Sequence, residues 1–215
     1  MPPSLPPLPA QADRLIALGV HELARLSPAE LCDAAAGAGP RDGALLAVHP
    51  ELVPASRLTP LVEREGKRGF LVVDMTDVDA FVPIEQAALP DGPVYVVDGV
   101  DRGDELANWS PDEALPAITG RGHSPLTLTE GLHWLLQQPE ALARNHCFMT
   151  IGSRRRRPDG RLDTRTPALW LSNGTGRDGR EHKGAPKVGW CWAGNRHTWL
   201  GFASTPGRTA VPLTR

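Results

Sequence analysis

Lys187-Val-Gly-Trp-Cys-Trp-Ala-Gly-Asn-Arg-His-Thr-Trp-Leu-Gly201 carries three of the chain's six tryptophans within ten residues. Gly194-Asn195 at its centre reads as a two-residue hairpin turn, with glycine at the first central position as type II′ geometry requires. That register sets Ala193 opposite Arg196, Trp192 opposite His197, Trp190 opposite Trp199 and Val188 opposite Gly201. Side chains alternate along a strand, so Trp190, Trp192, His197 and Trp199 are expected on one face. Gly189, Cys191, Ala193, Thr198 and Leu200 fall on the other, where mostly small groups let another layer approach. The aromatic face is either a core layer or the wall of a binding site, and both readings stay open.

Working upstream, Ala168–Leu171 and Cys147–Ile151 are apolar runs that read as strands, with polar loops over 154–166 and 173–186. Before them, Thr127-Leu-Thr-Glu130 is a capping box opening a helix with Leu132, Leu135 and Leu136 on one stripe. A second short helix is expected from Pro139 to Asn145. Ser110-Pro111-Asp112-Glu113 is a second box, with proline in the first helical position and Pro116 bending or shortening the helix beyond it. Phe70–Met75 and Val94–Asp98 are β-branched, aromatic-rich strands, and a parallel or an antiparallel pairing of the two fits. Residues 10–36 have the pattern of two or three short helices, with Gly19 as a cap and Ser27-Pro28-Ala29-Glu30 as a third box.

The 215 residues, 40% hydrophobic and 22% charged, suit one soluble domain with a sizeable core. The expected organisation is a flexible proline-rich tail over 1–10, a helical segment over 11–43 and an α+β domain over 44–215. That domain is expected to hold a mixed sheet and the C-terminal antiparallel hairpin, layered against the helices of 110–145. No apolar run approaches the roughly 18 residues of a membrane span, and the N-terminus lacks the pattern of a secretion signal. Cys32, Cys147 and Cys191 are widely spaced and form no Cys-x-x-Cys pair, which points to a reducing cytoplasmic setting and away from zinc.

Charge is divided along the chain. Residues 1–144 carry 10 Lys/Arg against 21 Asp/Glu, and residues 145–215 carry 13 against 4. Two oppositely charged regions of one fold pairing with each other explain this, as does a basic surface for an anion or an acidic partner. Arg154, Arg155, Arg156 and Arg157 form the densest basic run and the candidate surface for a nucleic acid or acidic protein, with nucleic acid not the favoured reading. Asp98, Asp101, Asp104 and Glu105 lie at the end of a strand, where loops of α/β proteins often gather carboxylates around magnesium. Their spacing matches no calcium loop, and turn and helix-cap chemistry accounts for them as well. His146-Cys147 and Cys191 with His197 invite a thiol-nucleophile reading, but each cysteine lies inside an apolar strand pattern, and the hairpin register points Cys191 and His197 to opposite faces.

Asp98 with Asp101-Arg-Gly-Asp-Glu105, Asn108-Trp-Ser-Pro111, Asn145-His-Cys-Phe148, Gly189-Trp-Cys-Trp-Ala-Gly-Asn195 and His197-Thr-Trp-Leu-Gly201 together carry a resemblance. They resemble a bacterial family, common in high-GC, actinobacterial-type organisms, that is catalogued as a domain of unknown function. The resemblance runs from about Ala44 to Arg208 and implies a single-domain cytosolic protein. It brings across no catalytic residue, and the loops over 154–166 and 173–186 are longer and more basic than the family's usual hairpins.

These readings favour a non-catalytic protein that binds a small molecule or a partner. The expected pocket draws on Asp98, Asp101, Asp104, Glu105, Asn108, Trp109, Asn145, Trp190, Trp192, Asn195, His197 and Trp199. No cofactor or resident metal is called for. The competing reading is a small hydrolase or metal-dependent enzyme using Asp98, Asp101, Asp104 and His197.

Overall fold

Three capping boxes start three of the helices. The computed structural model describes residues 5–212, apart from the Arg177 side chain. Helices α1 (Leu8–Ala17) and α2 (Val20–Ala24) meet at Gly19, whose φ of 73° lies in the left-handed region that glycine enters without strain. Helix α3 (Pro28–Gly37) begins at Ser27, and α4 (Ala55–Leu58) is a single turn. Helix α5 (Pro111–Gly120) begins at Ser110 and runs on through Pro116, and α6 (Leu128–Gln137) begins at Thr127. In each box the Ser or Thr oxygen accepts from the backbone N–H of a glutamate, whose carboxylate accepts in return from the capping residue's N–H. Part of the expected 1–10 tail lies outside the described residues. The remainder is structured: Leu5 and Leu8 are buried and the helix starts at Leu8.

The fold is α+β, and two sheets enclose α6. The first is a three-stranded antiparallel sheet in which β3 (Val94–Asp98) lies between β1 (Leu45–Val48) and a strand at Gly207–Ala210. The second is mixed and has five strands. From one edge they are Leu200–Phe202, Cys147–Met149, Arg165–Leu171, Pro186–Trp192 and Phe70–Leu71. We number these in chain order: β2 (Phe70–Leu71), β4 (Cys147–Met149), β5 (Arg165–Leu171), β6 (Pro186–Trp192), β7 (Leu200–Phe202) and β8 (Gly207–Ala210). Strand β5 is antiparallel to both neighbours, whereas the edge strands β7 and β2 run parallel to β4 and β6.

This arrangement corrects the hairpin. Strands β6 and β7 flank the Gly194-Asn195 turn, but β5 and β4 lie between them, so none of the expected cross-strand pairs forms. Asn195 N–H does close a turn onto Trp192 O at 3.0 Å, but Gly194 lacks the positive φ that type II′ demands. The turn was real and its partner was not. Phe70–Met75 and Val94–Asp98 likewise sit in different sheets, with only Phe70–Leu71 of the former in a strand. The helix expected from Pro139 to Asn145 is one 3₁₀ turn, Pro139–Ala141.

All ten residues of α6 are buried, an unusual position for a helix containing glutamate and histidine. Glu130, fully buried, accepts from Arg208 Nε at 2.5 Å and from Arg208 Nη2 at 2.8 Å. Arg208 also donates to Ser124 Oγ at 2.5 Å and Pro125 O at 2.9 Å, so one guanidinium joins β8 to α6 and its approach. His133 Nδ1 donates to Thr129 O at 2.8 Å, and its Nε2 accepts from Val48 N–H at 3.2 Å, which fixes the neutral tautomer. Toward the five-stranded sheet, Trp134 stacks on Phe148 with centroids 5.0 Å apart. Gly131 sits where a Cβ would come within 2.7 Å of Leu169 and Thr150. The N-terminal helices are locked to the same unit: Gln11 donates to Ala44 O at 2.7 Å and accepts from Leu46 N–H at 2.8 Å.

Arg208→Ala is expected to lower unfolding free energy by about 3–5 kcal/mol in urea denaturation, since it strands a buried carboxylate. Pairing Arg208→Met with Glu130→Leu should restore much of the loss. Burial pulls the His133 imidazole down to about 4 from an ordinary 6.5. The folded state therefore resists a proton that the unfolded chain accepts. The stabilisation is complete above pH 6.5 and is lost as pH falls toward 4, at up to about 1.4 kcal/mol per pH unit from this one group. His133→Gln should flatten that slope when stability is compared at pH 7 and pH 5.

Candidate functional site

The five-stranded sheet has one face turned to α6 and one turned away. Register puts Leu169 and Val188 on the α6 side with Pro167 opposite Trp190 and Arg165 opposite Trp192. Trp190 and Trp192 meet edge to face at 4.5 Å on this side, and Arg165 lies 5.9 Å from the Trp190 ring. Alternation puts Trp170, Gly189, Cys191 and Cys147 on the other side. There Trp170 meets Trp199 edge to face at 6.2 Å, and Trp199 lies 5.5 Å from the His197 ring. The expected single tryptophan wall is thus two walls on opposite faces, and Cys191 and His197 share a face after all.

The outer wall encloses a cavity of about 380 Å³, bounded by Trp170, Trp199, His197, Cys147 and Cys191, with Asn145 and Asn173 as its amides. A second cavity of about 260 Å³ is lined by Trp170 and Asn173 as well, and adds Thr175, Asp178, Lys187 and Asp74. Sharing Trp170 and Asn173, the two lie side by side as a groove in two parts, the first aromatic and the second polar. Trp170 can lie across β6 only because position 189 is glycine, where a Cβ would fall 2.4 Å from its ring.

Backbone contacts hold the walls. Asn108 N–H donates to His197 O at 2.9 Å and Asp112 N–H to Ala193 O at 3.1 Å, so the start of α5 grips the 193–199 loop. Arg196 is ion-paired to Glu113 of the same helix turn. Cys147 N–H donates to Trp199 O at 3.1 Å, and a turn from Ala143 to His146 closes with reciprocal 3.0 Å bonds. Asn108 and Asn145 both have left-handed φ, 69° and 63°, a conformation that asparagine tolerates better than bulkier residues.

The lysine of the groove is paired within it. Lys187 Nζ donates to both oxygens of Asp178 at 2.8 Å and stands 4.7 Å from the Trp170 ring centroid. Burial lowers the His197 imidazole below its ordinary value, which favours the neutral ring, and its Nε2 is buried with no hydrogen-bond partner. Burial pushes the thiols of Cys147 and Cys191 up to about 11. Both stay protonated near neutrality, which removes the thiolate that a cysteine nucleophile needs.

The other expected site residues are placed elsewhere. Asp98 pairs with Arg41 at 3.0 Å, Asp104 with Arg102 at 2.5 Å and Glu105 with Arg121 at 2.8 Å. Asp101 accepts from Gly103 N–H at 3.0 Å and bridges to Ser204 through the backbone. None of the four lines the groove, and the segment holds its wall through the Asn108 backbone. Trp109 and Trp192 are exposed, and Asn195 is exposed in its turn. The basic run lies only partly at the surface. Arg154 is buried and donates to Asp163 O at 2.5 Å, and Arg155 pairs with Asp77. Arg156 is exposed but donates to Gly160 O at 3.2 Å, and exposed Arg157 donates to Thr164 Oγ1 at 3.3 Å. Among the described residues, no three His, Cys, Asp or Glu side chains gather closely enough to hold a metal ion.

Sequence reasoning missed Trp170, Asn173, Asp178 and Lys187. The one signal was Gly189 within a strand pattern, a mark of close approach by another group. A further cavity of about 430 Å³ lies between the 49–55 and 78–83 segments. Its wall is largely proline and apolar, and its inner polar groups are occupied. Asp79 accepts from Ser56 N–H at 2.9 Å, and Ser153 Oγ accepts from Leu128 N–H at 2.9 Å.

A family model described as a family of unknown function, DUF5701, matches residues 14–211. The chain belongs to that family. The DUF5701 match begins inside α1 rather than near Ala44, so it takes in α2 and α3 together with the groove and the Glu130–Arg208 pair. No curated protein and no solved structure matches the chain. Among the described residues, no helix is long and apolar enough to cross a membrane.

With iodoacetamide at pH 8, exposed Cys32 should react first. Cys147 and Cys191, whose thiols burial pushes up to about 11, should lag by about 100-fold behind an ordinary cysteine thiol. Peptide mapping by mass spectrometry reads each site separately.

Proposed function

We propose that this protein is a non-catalytic small-molecule-binding protein whose ligand occupies the groove lined by Trp170 and Trp199. The observation that carries the reading is the combination around one cavity of about 380 Å³ of two indoles, two amides and a neutral imidazole. A cavity of this size is in the range that small ligands fill, and mostly apolar walls with few convergent polar groups are what such sites use. Of the residues expected from sequence, Asn145, His197 and Trp199 belong to this reading, and Asn108 supports it by holding His197.

A hydrolytic or metal-dependent reading has less behind it. It needs a carboxylate near His197, and Asp98, Asp101 and Asp104 make their bonds elsewhere. Binding of nucleic acid or an acidic partner through Arg154–Arg157 is weakened by the burial of Arg154 and the pairing of Arg155. The three cysteines are free thiols, which fits the reducing cytoplasm that we propose as its setting.

A panel of planar and polar metabolites screened by tryptophan fluorescence should contain at least one that changes emission saturably. Trp199→Ala should abolish that response with the denaturation midpoint retained, whereas Trp109→Ala, outside the groove, should leave it intact. Equal loss in both variants, or no response to any compound in a folded protein, would contradict the reading.

A further inference from the structure

Resting on the groove being a ligand site, we infer that its ligand is an uncharged nucleoside, with the base in the aromatic compartment and the sugar in the polar one.

The order of the walls favours a base first. The aromatic compartment offers flat surfaces at Trp170 and Trp199 and, around them, groups that each donate or accept: the Asn145 and Asn173 amides and the His197 imidazole. A heteroaromatic base presents donors and acceptors along its edge and a π-face above and below. Aromatic walls with amide and imidazole groups at the rim match that pattern. A hydrocarbon ligand would leave those polar groups unpaired, at a cost for each. The neutral state of His197 adds to this, since a neutral imidazole can serve as donor or acceptor toward a base edge.

The neighbouring compartment, about 260 Å³, shares Trp170 and Asn173 with the first and suits a sugar. A ligand reaching past Trp170 leaves an aromatic environment and meets Thr175, Asn173 and the Asp178–Lys187 pair. Hydroxyl groups can bond to such partners without bringing charge. One face of Trp170 is already engaged by Lys187, at 4.7 Å, and the ring meets Trp199 edge to face at 6.2 Å, so the base packs beside the two indoles rather than between them.

Charge balance disfavours the phosphorylated forms. Lys187 is held by both oxygens of Asp178 at 2.8 Å, and Asp178 also accepts from Ser172 Oγ at 2.8 Å. The cation inside the groove is therefore already neutralised. A phosphate there would face the Asp178 carboxylate with no unpaired lysine to offset it, and the sequence has no glycine-rich phosphate loop. Arg144 stands at the rim, exposed, where a cation contributes little in water.

The test is equilibrium dialysis of the full chain with adenosine, guanosine, cytidine and uridine, beside ribose, the four 5′-monophosphates and indole. At least one nucleoside is expected to bind at least about tenfold tighter than its monophosphate and than ribose. Trp199→Ala and His197→Ala are each expected to weaken it about tenfold or more. Should Trp199→Ala not fold, His197→Ala, a smaller deletion in the same loop, carries the comparison. Protection of Cys191 from iodoacetamide, in a Cys32→Ser background, separates the two ways of failing. If indole protects Cys191 and no nucleoside binds, the nucleoside assignment is overturned and the groove remains a ligand site. If no compound binds or protects, both are overturned. A monophosphate that binds as tightly as its nucleoside also overturns the assignment.

Discussion

The ion pair between Glu130 and Arg208 is the constraint to which most of the architecture answers. A carboxylate with no solvent exposure survives only if its charge is matched and its oxygens are bonded. Here each oxygen takes a guanidinium N–H, while Oε2 also closes the capping box of α6 on Thr127 N–H at 2.7 Å. One side chain thus starts the helix and fixes it to β8. Because α6 is buried along its whole length, both sheets must cover it, and His133, Gly131 and Trp134 supply the contacts on either side. The geometry of one pair sets the layer order of the domain.

That layer order decides where a site can exist. Helix α6 consumes the Leu169–Phe148–Val188 face of the five-stranded sheet, so the opposite face, with Trp170 and Cys191, is left to loops. Loops cover it incompletely. The 193–199 loop is drawn toward the start of α5 by Asn108, Asp112 and the Arg196–Glu113 pair, and the groove is the space that remains between it and Trp170. The Asn-Trp-Ser-Pro stretch acts here as a clamp. Its asparagine bonds the loop, its serine caps the helix, and its tryptophan stays outside.

What the sequence disclosed was local. All three capping boxes, the Val94–Asp98 strand and the leucine stripe of α6 depend on residues within a few positions of one another, and each formed as expected. The hairpin failed because Gly194-Asn195 and alternation specify a turn and two strands, but say nothing of which strands they join. Two intervening strands, from residues 147–149 and 165–171, won the pairing. The aromatic faces then inverted, since Trp190 and Trp199 no longer shared a register. The carboxylates of 98–105 misled for a similar reason: Arg41 and Arg121, which bind two of them, are distant in sequence. The charge asymmetry carried more than it first showed. Asp77 with Arg155 and Arg165, Glu113 with Arg196, and Glu130 with Arg208 all join the acidic half of the chain to the basic half.

If the groove lined by Trp170 and Trp199 receives the ligand, and no other tryptophan-bearing surface does, the indoles themselves should report it. Indole N–H resonances observed by ¹H–¹⁵N NMR during titration with planar heteroaromatic compounds are the most direct test, because each tryptophan gives a separate signal. Trp170 and Trp199 are expected to shift together and saturate together while Trp134, in the core, and Trp109, on the surface, stay still. Saturable shifts at Trp109 and Trp192 with Trp170 and Trp199 unmoved would place the ligand elsewhere and refute the groove.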